Sequence, residues 1–315
     1  MSNFNPPRNA LEFYEKVIHQ CNTLIKMNIW TISDSSFNSW ASQFQTQNEK
    51  FFCACLLSKL IFRSKNQTYS LITSLFQSNL NNICFDELKN QGELIAKLTQ
   101  TQKKNDPKIR LTPVIDDDDP PTKSGPLIIR YTKKKFNLNE KWMIWSSKLP
   151  DLFENEEHFT IIFVDDFCGT GRQFSKFFEQ IKSSTNNDDI QFWNTIIEKN
   201  IKIIYAPLIA FDNGLNYLKI KYPYIRFTCS ELLSSSNNFF DQTYWEEISG
   251  KKIKAEDARN WLIEFWNSKG FTRSSIPCLG YENMALTIGF EHGTPNNTLP
   301  IFWQSNQNWK PLLER

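Results

Sequence analysis

Hydrophobic positions change rhythm along this chain. Up to about residue 100 they recur every three or four residues; Leu11, Tyr14, Val17, Ile18 and Cys21 share one helical face. Glu49 to Phe62 is apolar nearly all round, which predicts a helix buried between others, and Leu71 to Leu80 and Phe85 to Leu98 continue the helical spacing. Thr101 to Asp106 is polar and reads as a connector. Beyond it, short apolar runs take over. Leu111–Ile115, Lys141–Trp145, Phe159–Val164, Ile201–Phe211 and Tyr224–Thr228 are strand candidates, and the unbroken runs at 159–164 and 201–211 suit strands covered on both faces. Helices are expected over Gly125–Phe136, with Ser124 as its cap and Pro126 in its first turn, and over Arg172–Lys182. Ala255–Lys269 is amphipathic through Trp261, Leu262, Phe265 and Trp266, and Ala285–Phe290 and Leu299–Trp303 read as closing strands.

Strands alternating with helices predict an α/β fold, a mostly parallel sheet with helices on both sides. The expected division is a helical region over 1–108 and an α/β domain over 109–315, with its core at 109–235 and a C-terminal closing segment at 236–315.

Composition narrows the function classes. A net charge of +2 over 315 residues is too near neutral for a protein that coats nucleic acid, so direct nucleic-acid binding is not expected. Seven scattered cysteines with no Cys-x-x-Cys pair, and three histidines, point away from zinc and from a disulfide framework. The N-terminus lacks a signal-peptide pattern, and Phe51–Phe62, interrupted by Ser58 and Lys59, is too short to span a bilayer. A reduced, cytoplasmic protein with no membrane partner is the expectation.

One segment carries chemistry. From Ile161 to Gln173 a buried strand leads to two carboxylates, Asp165 and Asp166, then to Cys168-Gly169-Thr170-Gly171, then to a helix opening at Arg172. In an open parallel sheet, ligands bind beyond the carboxyl ends of strands. Free N–H groups of the turn and the positive end of the helix suit a phosphate, Gly169 and Gly171 allow close backbone approach, and Thr170 adds a hydroxyl. Adjacent acids can accept hydrogen bonds from vicinal hydroxyls. Diol-binding acids beside a phosphate cradle describe a ribose 5-phosphate site.

At these residues the chain resembles the phosphoribosyltransferases. Asp165 and Asp166 match the family's acids, and Thr170-Gly171 its Thr-Gly. Gly169 stands where Thr is common, and Gln173 where Thr or Ser closes the motif. The resemblance implies a pyrophosphate loop at Val114–Gly125, with Lys123, Ser124 and Gly125 at the helix start. Many catalytic members carry a long flap between the second strand and the motif strand, where this chain has only residues 146–158. Further on, Gly280-Tyr281-Glu282-Asn283, then Glu291 to Pro300 (His292-Gly293-Thr294-Pro295-Asn296-Asn297-Thr298-Leu299 within it), and Trp303 resemble the phosphoribosyltransferase-like family of prokaryotic conflict systems. That resemblance covers roughly residues 45–312. It implies an anti-phage role, in some members linked to retrons, with a protein partner from the defence system.

If the chain is an enzyme, the resemblance implies that phosphoribosyl pyrophosphate binds with Mg²⁺. Asp165 and Asp166 would hold the ribose hydroxyls, directly or through the metal, and Cys168 to Gln173, including Arg172, the 5-phosphate. Tyr281, His292 or Asn296 would face the acceptor. Two further readings stay open: cleavage of an existing N-glycosidic bond in a nucleotide or in NAD, and a non-catalytic nucleotide sensor whose helical region binds a partner.

Rival readings of the same residues also stand. Asp165-x-Phe167-Cys168-Gly169-x-Gly171 approaches the first motif of S-adenosylmethionine-dependent methyltransferases, although those enzymes place a hydrophobic residue where Asp166 stands. A Walker loop fails because no Lys-Ser/Thr follows the glycines. Asp116–Asp119 is either a cation site or a solvated acidic loop. Lys133-Lys134-Lys135 is either an anion contact or an exposed helix end. Cys168 is read as a small turn residue rather than a nucleophile, and His292 as structural rather than as a general base.

Overall fold

The structure, a computed structural model, describes residues 4–84, 93–102, 106–115, 123–185, 188–271 and 276–315. The Asp116–Asp119 run and the first part of the Phe85–Leu98 pattern lie outside the described residues. Along the chain come helices Ala10–Lys26 (α1), Asp34–Ala41 (α2) and Gln47–Lys59 (α3), then strand Ile61–Arg63 (β1). Next are Lys65–Ser74 (α4), Leu80–Cys84 (α5), Glu93–Leu98 (α6), Ile109–Pro113 (β2), Ser124–Phe136 (α7) and Leu149–Asn155 (α8). Then follow Thr160–Cys168 (β3), Arg172–Ser183 (α9), Asp189–Glu198 (α10), Lys202–Phe211 (β4) and Asp212–Lys221 (α11). The last are Ile225–Phe227 (β5), Glu231–Leu233 (β6), Gln242–Ser249 (α12), Ala255–Trp266 (α13) and Ile288–Phe290 (β7).

The chain forms two units: residues 67–233, and residues 1–66 together with 234–315. Those boundaries differ from a division at residue 108, because the C-terminal segment shares a unit with the N-terminal helices. In that unit β1 pairs in parallel with β7, Ile61 opposite Ile288. The core is aromatic: Trp40 stacks on Phe302 at 5.5 Å, Phe44 on Phe265 at 5.3 Å, and Trp309 meets both Trp40 and Phe44 edge-on. Indole N–H groups buried in such a core need acceptors. Those of Trp40 and Trp309 both donate to the Ile301 carbonyl. At the start of α3, Thr46 and Glu49 form a reciprocal capping box.

The second unit is the parallel sheet, in the order β2-β3-β4-β5, with β6 following β5 along the outer edge of β4. One face carries Ile161, Phe163, Ile203 and Tyr205, covered by α8 to α11; Phe163 alone meets Phe174, Phe177 and Phe178 of α9 within about 6 Å. The opposite face buries Leu111, Ile162, Val164 and Ile204. There α7 packs on β2 and β3 and is itself backed by earlier helices, with Tyr69 against Tyr131 and Phe76 against Phe136.

Three expected elements differ. Lys141–Trp145 is not a strand: Glu140–Trp142 is a single 3₁₀ turn, opened by the Asn139 side chain on Lys141 N–H, with one isolated bridge at Met143. Within it Trp142 is buried and donates to the Gln100 carbonyl, whereas Trp145 is exposed. Leu299–Trp303 is a 3₁₀ turn as well, since Pro300 has no N–H to offer a ladder. Ser124 does not cap α7. Lys123 is the cap residue, and the Ser124 hydroxyl is engaged elsewhere.

Candidate active site

Strand β3 runs further than its apolar stretch suggests. Pairing with β4 continues from Asp165 opposite Pro207 to Cys168 opposite Ala210, so the acids belong to the strand and not to the turn after it. Asp165 is 2% exposed, whereas Asp166 is half-buried. The Asp166 N–H donates to Asp165 Oδ1 at 3.0 Å, and the Tyr205 hydroxyl donates to Asp165 Oδ2 at 3.2 Å. Asp166 Oδ1 accepts the Ser124 hydroxyl at 2.7 Å. One acid is thus tied to the neighbouring strand, and the other to the start of α7.

Burial and the neighbouring Asp166 charge push the Asp165 carboxyl well above the usual range. Tyr205, buried and stacked on Phe174 at 4.0 Å, is likewise raised by burial first and then by Cys168 and Asp165. The Cys168 thiol is pushed up to about 12, mainly by burial, which disfavours its thiolate form.

The turn after β3 is held from behind. Gly171, the cap residue of α9, has φ of +76°, and a Cβ there would lie 2.8 Å from the Gly214 carbonyl and from Leu218. Gly214, in the first turn of α11, approaches still more closely: its Cβ would lie 2.0 Å from the Gly169 carbonyl oxygen. The sequence reading did not include Gly214; nothing in its local spacing marks it, because the contact is made across two strands. At the other edge Gly125 seats α7 on β2, where a Cβ would come within 3.0 Å of the Val114 carbonyl.

Helices α7, α9 and α11 all begin at the carboxyl ends of adjacent parallel strands, and none has a side-chain bond from its cap residue, although the Asp212 side chain accepts the Asn213 N–H in the first turn of α11. Three positive helix ends therefore frame the acidic pair. Thr170 is half-buried and accepts the Arg172 N–H at 3.4 Å, while Arg172 and Gln173 are exposed. Lys123, Ser124 and Gly125 sit at the start of α7, beside Asp166. Lys133–Lys135 occupy the last turn of the same helix, roughly 15 Å away at 1.5 Å per residue, and Lys133 pairs with Glu140.

Tyr281, His292 and Asn296 belong to the other unit. The Tyr281 N–H donates to the Asn296 carbonyl at 2.7 Å, the Asn297 side chain donates to the Tyr281 carbonyl, and the His292 ring lies against Phe290. Thr298 and Trp303 continue the same knot, through bonds to the Ile288 and Thr298 carbonyls. Gly280, with φ of +75°, lets the Asn297 carbonyl approach within 2.7 Å of where a Cβ would stand. The motif over 280–303 is an interlocked loop pair with a clear architectural role.

A family model described as PRTase-CE matches residues 37–315. The chain belongs to the PRTase-CE family. No curated protein matches it. Among solved structures, the chain is similar to the AQ2163 protein from Aquifex aeolicus at 11% identity and a TM-score of 0.29, covering 64% of this chain and 83% of that one. Family membership makes the PRTase-CE chain phosphoribosyltransferase-like. Among its described residues no helix is long and apolar enough to cross a membrane, and no group of three or more His, Cys, Asp or Glu is placed to hold a metal ion.

Proposed function

We propose that this protein binds a ribose 5-phosphate ligand, phosphoribosyl pyrophosphate or a nucleotide, at the carboxyl end of β3. The carrying observation is the acidic pair beside the starts of α7 and α9, whose cap residues make no side-chain bond, with Asp166 tied by Ser124 to the start of α7. The 5-phosphate lies on the turn 168–173, and a second phosphoryl group lies at Lys123–Gly125. Tyr281, His292 and Asn296 remain the proposed acceptor-side residues on the strength of the sequence resemblance alone.

Magnesium fits such a site only as a companion of the ligand. Asp165 is enclosed and Asp166 alone is accessible, a donor set suited to an ion that keeps its waters and rides on substrate phosphate oxygens. Bound there it would offset phosphate charge. The protein's own part is to orient the ribose and stabilise charge: the helix starts hold the phosphates, and Asp166 faces a ribose that becomes cationic as pyrophosphate leaves.

A non-catalytic sensor is the second reading. It is favoured by residues 146–158, which form a 3₁₀ turn and α8, with Leu149 and Phe153 buried in the core, where a catalytic member would have a long flap. A cytoplasmic setting, an anti-phage conflict system, a retron link and a protein partner from that system belong to this proposal through the family resemblance.

Thermal unfolding with Mg²⁺ and phosphoribosyl pyrophosphate, with S-adenosylmethionine in parallel, tests it. A ligand at 100 times its Kd adds about 2.7 kcal/mol. Stabilisation by the sugar phosphate alone supports the site; stabilisation by S-adenosylmethionine alone would replace this reading with a methyltransferase. Release of pyrophosphate then separates an enzyme from a sensor.

A further inference from the structure

Large apolar side chains stay exposed at the amino ends of the parallel strands, the pole of the sheet unit opposite the acidic pair. Helix α10 hands over to β4 there, and the turn after α11 hands over to β5. On α10, Phe192 and Ile196 face the core, as an amphipathic helix requires. Its outer face is apolar as well. Ile190 is 73% exposed and Ile197 53%, and half-buried Trp193 stands between them at three- and four-residue spacing. The Trp193 ring meets that of Tyr224, itself 54% exposed, at 5.3 Å, which carries the apolar surface onto the turn before β5. In the second half of α11, Ile220 is 84% exposed and Tyr217 37%.

At those exposures the three isoleucines and two tyrosines offer about 600 Å² of side chain, as much as the largest patch of an ordinary monomer. Two such faces together bury about 1,200 Å², above the roughly 1,000 Å² that a specific interface needs. The charges around the face divide by halves. The α10 half is acidic, with Asp188, Asp189 and Glu198 exposed, and Lys199 at its end is turned onto the Phe153 and Glu154 carbonyls. In the α11 half, Ile220 stands between Lys219 and Lys221, both exposed. Asp189 also pairs with Lys182, and Lys221 with Glu179, so this rim sets orientation more than strength.

We propose that this face docks a second copy of the chain, in a two-fold pair that lays α10 of each copy against the end of α11 of the other. A two-fold axis makes each half of the face meet the opposite half, twice over. Acidic and basic rims then face each other at both contacts, whereas α10 laid on α10 would set acids against acids. Asp165 and Asp166 lie five and six residues along β3 from Thr160, about 16–20 Å at 3.3 Å per residue, so the acids stand outside the docking face. The inference stands apart from the ribose-phosphate reading and survives if that reading fails.

The test is sedimentation equilibrium of the full chain from about 1 to 100 µM, for the wild type, I190E and I220E. The wild type should reach twice the mass of the chain within that range. Each substitution falls on a different half of the face and should raise the dissociation constant at least tenfold. Because both side chains are exposed, melting points at the lowest concentration should match the wild type; I197E and I220S serve if either variant fails to fold. An equimolar mixture of I190E and I220E restores one undamaged contact, between α10 of the I220E copy and α11 of the I190E copy. That mixture should associate more tightly than either variant alone.

A wild type that stays monomeric at about 100 µM would overturn the proposal and leave the face to a different protein. A pair that neither substitution weakens would overturn it by placing the interface elsewhere. Weakening by I190E alone, with no gain on mixing, would put α10 on α10 and refute the crossed arrangement.

Discussion

Replacing Gly214 by alanine tests the site through a residue that touches no ligand. Its Cβ would stand 2.0 Å from the Gly169 carbonyl oxygen, 2.9 Å from the carbonyl carbon and 3.1 Å from Gly171 N, so the obstacle is backbone and not the end of a flexible side chain. Reaching an ordinary contact of about 3.4 Å requires the turn 168–173 and α11 to part by roughly 1.4 Å. A misplacement of about 1 Å at a binding constellation costs on the order of a hundredfold, or about 2.7 kcal/mol. In the ligand-free protein, overpacking costs about 1–3 kcal/mol, offset by about 1 kcal/mol from removing a helical glycine. The unliganded melting point should therefore fall by only a few degrees. The ligand response should collapse. At a concentration 100 times the wild-type Kd, stabilisation drops from about 2.7 to about 0.4 kcal/mol once Kd has risen a hundredfold. Thermal unfolding with and without phosphoribosyl pyrophosphate and Mg²⁺ reads both quantities. A full ligand shift in G214A would refute the claim that α11 sets the turn. Gly125→Ala, whose nearest approach is 3.0 Å, should give a graded, smaller loss.

Two further outcomes are expected. Ser124→Ala removes the hydroxyl that donates to Asp166 at 2.7 Å; a bond to a charged group contributes about 1.5–3 kcal/mol, so the ligand-free melting point should fall by a few degrees, and affinity for phosphoribosyl pyrophosphate should fall as well because Asp166 loses its tie to α7. Unchanged affinity would detach α7 from the site. Cys168, with its thiol at about 12, is ionised to roughly one part in ten thousand at pH 8, so iodoacetamide should leave it unmodified in the native protein and alkylate it only on unfolding. Rapid native labelling would contradict its burial.

The sequence showed the strands that are apolar throughout. Phe159–Val164 and Ile201–Phe211 are visible because burial on both faces leaves no polar interruption, and the helix after Gly171 is visible because Phe174, Phe177, Phe178 and Ile181 repeat at helical spacing. Lys141–Trp145 misled because its apolar residues do not share one buried face, Trp142 being buried and Trp145 exposed, and Leu299–Trp303 because Pro300, which has no N–H, interrupts an otherwise apolar run. The candidate site was legible as a cluster of residue types. Its internal asymmetry was not, because whether Asp165 or Asp166 is enclosed depends on Tyr205 and Ser124, some forty residues away on either side. Gly214 was missed for the same reason: its partner is a carbonyl on another loop.

The unit built from residues 1–66 and 234–315 has a consequence for biosynthesis. A ribosome delivers α1 to β1 early, but Trp40 and Phe44 wait for Trp309, and Ile61 waits for Ile288. The sheet unit, residues 67–233, has all its strands in hand long before then. The usual order, in which the first-made part folds first, is therefore inverted. During that interval Phe4 and α1 can cover part of α3, but Trp40 and Phe44 lack Phe265, Phe302 and Trp309, so the nascent N-terminal segment keeps aromatic surface exposed until the end of the chain is made.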